Sequence, residues 1–465
     1  MYKKKIKNWA RTTSSYPKKY YLPKTEEQLV SIIKDAIETK TPIKVCGKRH
    51  SYNNIFESDK NGILISLKKF NKILNVNQKD KTVTFQAGAS TPQLLLFLKK
   101  HNLTIPNLGT NIMDNFIGAC SNGYHGSGIT YQIQSGYIQA LTLISGTGKK
   151  IKITKNDELF AVFGVNIGAL GIITEVTIKC EESFKLHLQT ERVNYTDFKK
   201  NITSLLKTNK HIKFIWAPHT SIYQLWKANE TTKKQNGYWQ KFKVYFWDGL
   251  IINSFLHAFL LYFAAINNKL IPKINLFLTN LLVPYKGELI YNSYWIYFLP
   301  HLLKQDTVEF AVPIEHTFNF FEDLQKIIEK QPFFVQTPIE IRFVKRDSFW
   351  LSPAFEKDVC YVGTKTHFLP LIKNDTYKLY FQAFNNLIEK YQGKPHWGKQ
   401  LYMSKKYIKT HYPKWNEFWK VAEILDPNKL FDNAFLANLR VSNEELNKTT
   451  LSQKLTKELK SHKLL

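Results

Sequence analysis

Gly118-Ala119-Cys120-Ser121-Asn122-Gly123-Tyr124-His125-Gly126-Ser127-Gly128 is the second of two glycine-flanked histidine loops in the first half of this chain; the first is Val45-Cys46-Gly47-Lys48-Arg49-His50-Ser51, directly after a strand candidate at Ile43 to Val45. Successive backbone N–H groups in such loops form anion-binding nests, and glycine lets the backbone come close to a phosphate. Two such loops could grip a pyrophosphate cofactor between them. Taken alone, a histidine in a turn is as readily structural.

Other phosphate and hydrolase signals are missing. There is no G-x-G-x-x-G, H-E-x-x-H or G-x-S-x-G. Ser145-Gly146-Thr147-Gly148-Lys149-Lys150 puts Lys150 where a phosphate loop needs Ser or Thr, so it reads as a tight turn between strands.

Around the loops, helices and strands alternate over the first 180 residues. Thr25-Glu26-Glu27-Gln28 is a capping-box pattern, followed by Leu29, Ile32, Ile33, Ala36 and Ile37 at helical spacing. Residues 62–66, 82–87, 141–145 and 171–178 read as strands, and Pro92 opens a helix through LLLFLKK. From 306 onward TVEFAVP, a helix at 317–330 and PIEIRFV continue the pattern. The predicted class is α+β. Beyond 442 the chain is polar and Lys-rich, which predicts a frayed or solvated helix.

At 465 residues the chain has room for two or three domains. The formal charge of +29 would suit a nucleic-acid or anionic-membrane partner. Only six of the 66 basic residues are arginine, however, and bidentate base readout leans on arginine, so no nucleic-acid partner is expected. Cys46, Cys120, Cys180 and Cys360 are scattered, which argues against a disulfide scaffold or metal site and fits a reducing, cytoplasmic location.

Residues 249–266 (GLIINSFLHAFLLYFAAI) form an apolar run broken by Asn253, Ser254 and His257, and INLFLTNLLVPY follows at 274–285. Two readings stand: a buried helix pair, or an in-plane contact of the 247–285 region with anionic lipid on the inner face of a membrane.

In their order along the chain, these motifs resemble the FAD-dependent sugar-1,4-lactone oxidases, the L-gulonolactone and D-arabinono-1,4-lactone oxidase family of the vanillyl-alcohol oxidase superfamily. The likeness runs from Asn8-Trp9-Ala10 almost to Leu439. It includes both histidine loops, Gly168-Ala169-Leu170-Gly171-Ile172-Ile173-Thr174, Pro338-Ile339-Glu340-Ile341-Arg342-Phe343 and Leu351-Ser352-Pro353. It continues through Asp358-Val359-Cys360-Tyr361, Pro395-His396-Trp397-Gly398-Lys399, and Leu425-Asp426-Pro427 with Phe431 and Asn433. Two departures stand out: Arg49 replaces a small residue, usually Gly, and Tyr124 replaces Thr.

The resemblance implies a two-part FAD-binding domain of the vanillyl-alcohol oxidase (PCMH) type over 1–182 and an α+β substrate or cap domain with an antiparallel sheet over 183–400. A return to the FAD domain over 401–441 and a tail over 442–465 complete the expected layout. It implies FAD joined covalently to His50, with contacts from Val45, Cys46, Gly47, Lys48, Arg49, Ser51, Asn115, Gly118, Cys120, Asn122, Gly123, His125, Ser127, Gly128, Ile172, Ile173 and Lys399. Arg342 would stabilise the reduced flavin or a forming oxyanion, Glu340 would bind substrate hydroxyls and hold Arg342, and Lys399 would add a second positive charge. The implied reaction oxidises the CH–OH group of a gulono-, galactono- or arabinono-lactone with O₂, giving an ascorbate-type product and H₂O₂. A cytochrome- or quinone-linked dehydrogenase and an alditol oxidase are the alternatives.

Overall fold

A computed structural model describes residues 5–283, 286–298, 302–330, 333–368 and 377–465. Pro284 and Tyr285, at the end of the second apolar run, lie outside them.

The N-terminal half carries two main sheets, besides the two-stranded pairs of Ile6–Lys7 with Ser14–Ser15 and of Leu103–Thr104 with Glu181–Glu182. In the first, β1 (Lys19–Tyr21), β2 (Ile43–Cys46) and β3 (Ile63–Ser66) run parallel in the order β1-β3-β2. Parallel strands need crossovers. Helix α1 (Glu26–Glu38) supplies one, burying Leu29, Ile33 and Ala36. The Thr25 side chain caps it by accepting from the Gln28 N–H, while Gln28 Oε1 accepts from the N–H of Lys24. The predicted box therefore closes one residue early.

The second sheet contains β4 (Ile73–Asn77), β5 (Thr82–Gln86), β6 (Ile138–Ile144), β7 (Lys150–Thr154) and β8 (Ile172–Lys179). Its order is β7-β6-β8-β5-β4, antiparallel throughout. The 145–150 segment is the β6–β7 turn, with Gly148 at φ +77°. Helix α2 (Thr91–Lys100) and the short α3 (Phe116–Cys120) lead into the second histidine loop.

The C-terminal half is one eight-stranded antiparallel sheet. Its members are β9 (Lys185–Val193), β10 (His211–Trp216), β11 (Tyr223–Thr231), β12 (Lys286–Asn292), β13 (Gln305–Pro313), β14 (Ile339–Val344), β15 (Val359–His367) and β16 (Lys394–Pro395). The order β12-β9-β11-β10-β14-β15-β13-β16 puts β10 and β14 at the centre, with β15 beside β14. Helix α4 (Tyr195–Thr208) packs on this sheet through buried Phe198, whose ring stacks on Phe214 at 3.9 Å.

Between β11 and β12 rises a continuous helix α5 (Tyr238–Ile266), long and apolar enough by composition to cross a membrane, and then α6 (Ile271–Leu282). The pair buries its own small cluster of Ile252, Leu261, Ala264, Ile271, Ile274 and Leu278. Its outer face leaves Trp239, Trp247, Phe255, Phe259, Ile266 and Phe277 exposed. A wholly buried pair is therefore not what forms. Helices α7 (Thr317–Lys330) and α8 (Tyr377–Lys390) bring Phe320 and Phe384 together as a sheet-backing pair.

The tail differs from the frayed helix expected of its composition. Helices α9 (Asn443–Lys448) and α10 (Gln453–Ser461) bury Leu446, Leu455 and Leu459, and Glu458 accepts from the N–H groups of Glu158 and Leu159. Three leucines on otherwise polar helices suffice to dock them.

Candidate active site

A cavity of about 1430 Å³ lies between the two halves and is lined by both histidine loops, by β8 and by the centre of the large sheet. Ordinary ligand pockets hold roughly 300–1,000 Å³, so a dinucleotide and a small substrate have room together.

The first loop leaves β2 at Cys46. Gly47 is required there, because a Cβ would lie 2.5 Å from Asn115 Oδ1. Arg49 adopts φ +59°, the left-handed conformation that suits glycine. Its guanidinium turns outward, Nε donating to the carbonyl of Lys7 at 3.1 Å, while its own carbonyl accepts from Trp9. It therefore does not crowd the loop. The backbone N–H groups from Lys48 to Ser51 have no protein acceptor among the described residues. His50 packs against Trp9 with ring centres 5.7 Å apart, and the side-chain amide of Asn111 lies 3.2 Å from its Nδ1. Burial, aided by the charges of Lys399 and Lys48, lowers its pKa to about 4, so the ring is neutral at pH 7.

The second loop meets the first through Asn122, whose Nδ2 donates to Ser51 Oγ at 3.3 Å. Gly123 has φ +76° and Gly128 φ +124°. Tyr124, the other departure, donates its hydroxyl hydrogen to the carbonyl of Asn111 at 2.7 Å and accepts from the N–H of Asn111. It thereby fixes the residue that contacts His50. Cys120 and Ser127 are buried behind the loop; Val45, Gly118, Ile172 and Ile173 reach the cavity wall.

The chemistry-bearing side chains converge from the large sheet. Glu340 and Glu309 both pair across to Gly363 of β15, one from each side. A Cβ on Gly363 would come within 3.4 Å of Glu309 Cγ, so glycine leaves the space between the two carboxylates open. Arg342 Nη2 lies 2.5 Å from Glu309 Oε1, whereas its Nε is 3.9 Å from Glu340 Oε2. The carboxylate that holds Arg342 most closely is thus Glu309. Glu340 is held instead by Lys213 Nζ of β10, at 3.1 Å. Lys399 Nζ stands 3.6 Å from Glu309 Oε2, and His125 Nε2 is 3.4 Å from Oε1.

Burial would raise both carboxylates, but neighbouring cations outweigh it. Arg342 and Lys399 hold Glu309 well below its usual range, and Lys213 and Arg342 bring Glu340 to about 2. Both are ionised at neutral pH. Burial keeps His125 and His396 neutral, the latter at about 3, and the His125 ring stacks on Tyr361 at 3.5 Å.

Sequence reasoning missed Glu309, Lys213 and Gly363. A carboxylate in the otherwise apolar TVEFAVP strand was the available sign for Glu309. For Lys213 and Gly363 there was none, because strand order alone brings them to the site.

The residues present fit FAD. A glycine-lined cradle exposes unpaired backbone donors to an anion, and Arg342 Nε and His396 Nε2, both buried on the cavity wall, make no hydrogen bond. Fold comparison agrees. The structure superposes on the crystal structure of cholesterol oxidase from B. sterolicum with TM-score 0.77 and 17% identity, over 95% of this chain and 97% of that one. That likeness shows the fold; the chain's own matches to family models make it an FAD-dependent oxidoreductase. Residues 17–154 match the FAD binding domain model, and residues 176–439 match D-arabinono-1,4-lactone oxidase.

The chain belongs to the D-arabinono-1,4-lactone oxidase family. It is 31% identical to L-gulonolactone oxidase of Bos taurus over 93% of this chain and 97% of the relative. It is 25% identical to L-gulono-1,4-lactone dehydrogenase of Mycobacterium tuberculosis, with 92% and 97% covered. To D-arabinono-1,4-lactone oxidase of Saccharomyces cerevisiae it is 26% identical, with 85% and 84% covered.

Proposed function

We propose that the protein oxidises the hydroxyl next to the ring carbonyl of an aldono-1,4-lactone, with FAD joined to His50 and O₂ as the final acceptor. The observation that supports this most is the Lys213–Glu340–Arg342–Glu309–Lys399 cluster, which alternates charge along one wall of the cavity. FAD, when bound, supplies the two-electron acceptor. The loops at 45–51 and 118–128, with Ile172 and Ile173, would hold it.

The protein's own groups then orient the substrate. Glu340, ionised and acceptor-only, takes hydrogen bonds from the substrate's hydroxyls. Arg342 and Lys399 put fixed positive charge where an oxygen gains electron density, and Glu309 keeps both cations in place. His50, whose imidazole is neutral and carries a single ring-nitrogen lone pair, would be the point of attachment.

The direct test is anaerobic bleaching of the bound flavin by a panel of gulono-, galactono- and arabinono-lactones and alditols. Bleaching by lactones alone supports the reading, and bleaching by alditols alone overturns it. Peroxide formation on admitting air, compared with cytochrome c reduction, tests the acceptor. A His50→Ala protein that kept its flavin after acid precipitation would refute the linkage.

The exposed aromatic face of α5 and α6 supports peripheral attachment to an anionic membrane surface. Trp239 is 78% exposed and Ile266 86%, and Lys241, Lys243, Lys269 and Lys273 lie along the same pair. Attachment here predicts sedimentation with phosphatidylserine vesicles that is lost in a Trp239→Ser/Phe255→Ser/Phe259→Ser variant. Equal sedimentation of the two proteins would sink it.

A further inference from the structure

Lys213, Arg342 and Lys399 each have a carboxylate within 4 Å. Lys365 does not: its amine has no carboxylate or hydrogen-bond partner among the described residues, though its side chain lines the same cavity. Its place follows from register. Lys365 is two residues beyond Gly363 on β15, so the two share a face of the sheet. Gly363 is the direct partner of both Glu340 and Glu309, which makes Lys365 the diagonal neighbour of both carboxylates, roughly 7–8 Å away. The backbone there is fixed, the Lys365 carbonyl accepting from Thr337 Oγ1 at 2.8 Å. Buried cations are ordinarily paired. Burial, together with Lys399 and Arg342 and against the pull of Glu340, lowers the pKa of this amine below the usual lysine value.

We propose that Lys365 is a further catalytic residue, the base that converts the initial oxidation product into its enediolate before release. The inference rests on the lactone reading above. Oxidation next to the ring carbonyl yields a 2-keto lactone, whose C3–H is flanked by the new ketone and is acidic. In the step assigned here the C3–H bond breaks and its proton moves to Lys365 Nζ. The electron pair forms the C2=C3 bond, and the C2 carbonyl oxygen takes the negative charge. No oxidant or reductant is consumed. The ammonium so formed then faces the enediolate as its counter-ion, so one residue serves as base and anion partner. The fixed charges of Arg342 and Lys213 favour the same anion.

The test is anaerobic stopped flow with L-gulono-1,4-lactone and D-arabinono-1,4-lactone. The flavin's visible absorbance and the enediolate's ultraviolet absorbance are followed in one trace. In the wild-type protein the two signals share one rate. In Lys365→Met the ratio of enediolate rate to bleaching rate falls on the order of a hundredfold, and o-phenylenediamine captures the accumulating dicarbonyl. Lys365→Arg, which keeps the charge but cannot act as a base, shows the same lag and guards against a misfolded methionine variant. Enediolate appearing in step with bleaching in either variant overturns the proposal. Absence of bleaching by both lactones in the wild-type protein is a different result, because it removes the lactone reading itself.

Discussion

Glu309 Oε1 lies 2.5 Å from Arg342 Nη2, and the same carboxylate meets Lys399 through its other oxygen at 3.6 Å. One buried anion thus fixes two cations that arrive on different strands and loops. Glu340, by contrast, is shared between Lys213 and Arg342 and keeps part of its surface toward the cavity. The division gives one carboxylate a structural duty and leaves the other, partly open to the cavity, for the substrate contact proposed above.

Glu309→Gln is therefore expected to act on both stability and chemistry. Breaking a buried ion pair by removing one partner typically costs about 3–5 kcal/mol. Displacing fixed charge from a reacting oxygen costs on the order of 100-fold in rate. Thermal melting and anaerobic flavin bleaching measure the two effects. A variant within twofold of wild type in bleaching, with an unchanged melt, would show that Glu309 is not what positions Arg342.

The two histidine loops were more fully legible in the sequence than the charged cluster on the large sheet. His50, Gly123, His125 and Gly128 sit in contiguous loops whose glycine spacing can be read locally. Glu340 and Arg342 were legible as a same-face pair on one strand. Their partners were not, since Lys213, Gly363 and Glu309 come from β10, β15 and β13 and meet only through the order β10-β14-β15-β13. Nor could composition show that a Lys-rich tail docks, because Leu455 and Leu459 need a receiving surface that the tail does not contain.

Tyr124 replaces threonine at the cost of a small side chain but anchors Asn111 through two hydrogen bonds, and Asn111 contacts His50. Tyr124→Phe should lose about 0.5–1.5 kcal/mol as the hydrogen bonds to the half-buried Asn111 backbone are lost. On the proposed linkage to His50, it should also slow covalent flavin incorporation. The acid-stable flavin fraction, followed over time after adding FAD to apoprotein, reads the second effect. Wild-type incorporation kinetics would break the proposed relay from Tyr124 to His50.

Arg49 occupies a left-handed backbone position at φ +59°, which costs a side-chain-bearing residue roughly 1–2 kcal/mol. Its exposed bond to Lys7 offsets part of that. Arg49→Gly and Arg49→Ala both remove the bond, but only glycine removes the strain. The glycine variant should be about 1 kcal/mol more stable than the alanine variant in denaturant unfolding. Equal stabilities would mean that the loop relaxes out of this conformation.

Asp114 is buried beside the second loop and accepts from Thr91 Oγ1 at 2.6 Å. Burial outweighs that hydrogen bond and raises its pKa to about 7, against roughly 3.9 in the unfolded chain. The folded protein therefore retains a proton that the unfolded chain has already lost. Its contribution to stability is full below about pH 4, declines as pH rises, and is gone above about pH 7. Asn at this position can still accept from Thr91 and carries no charge. Asp114→Asn should therefore leave the unfolding free energy at pH 4 nearly unchanged and raise it at pH 8 by about 1–4 kcal/mol. Denaturant unfolding at the two pH values decides the matter, and a gain at pH 4 as large as that at pH 8 would place its origin elsewhere than in this carboxyl.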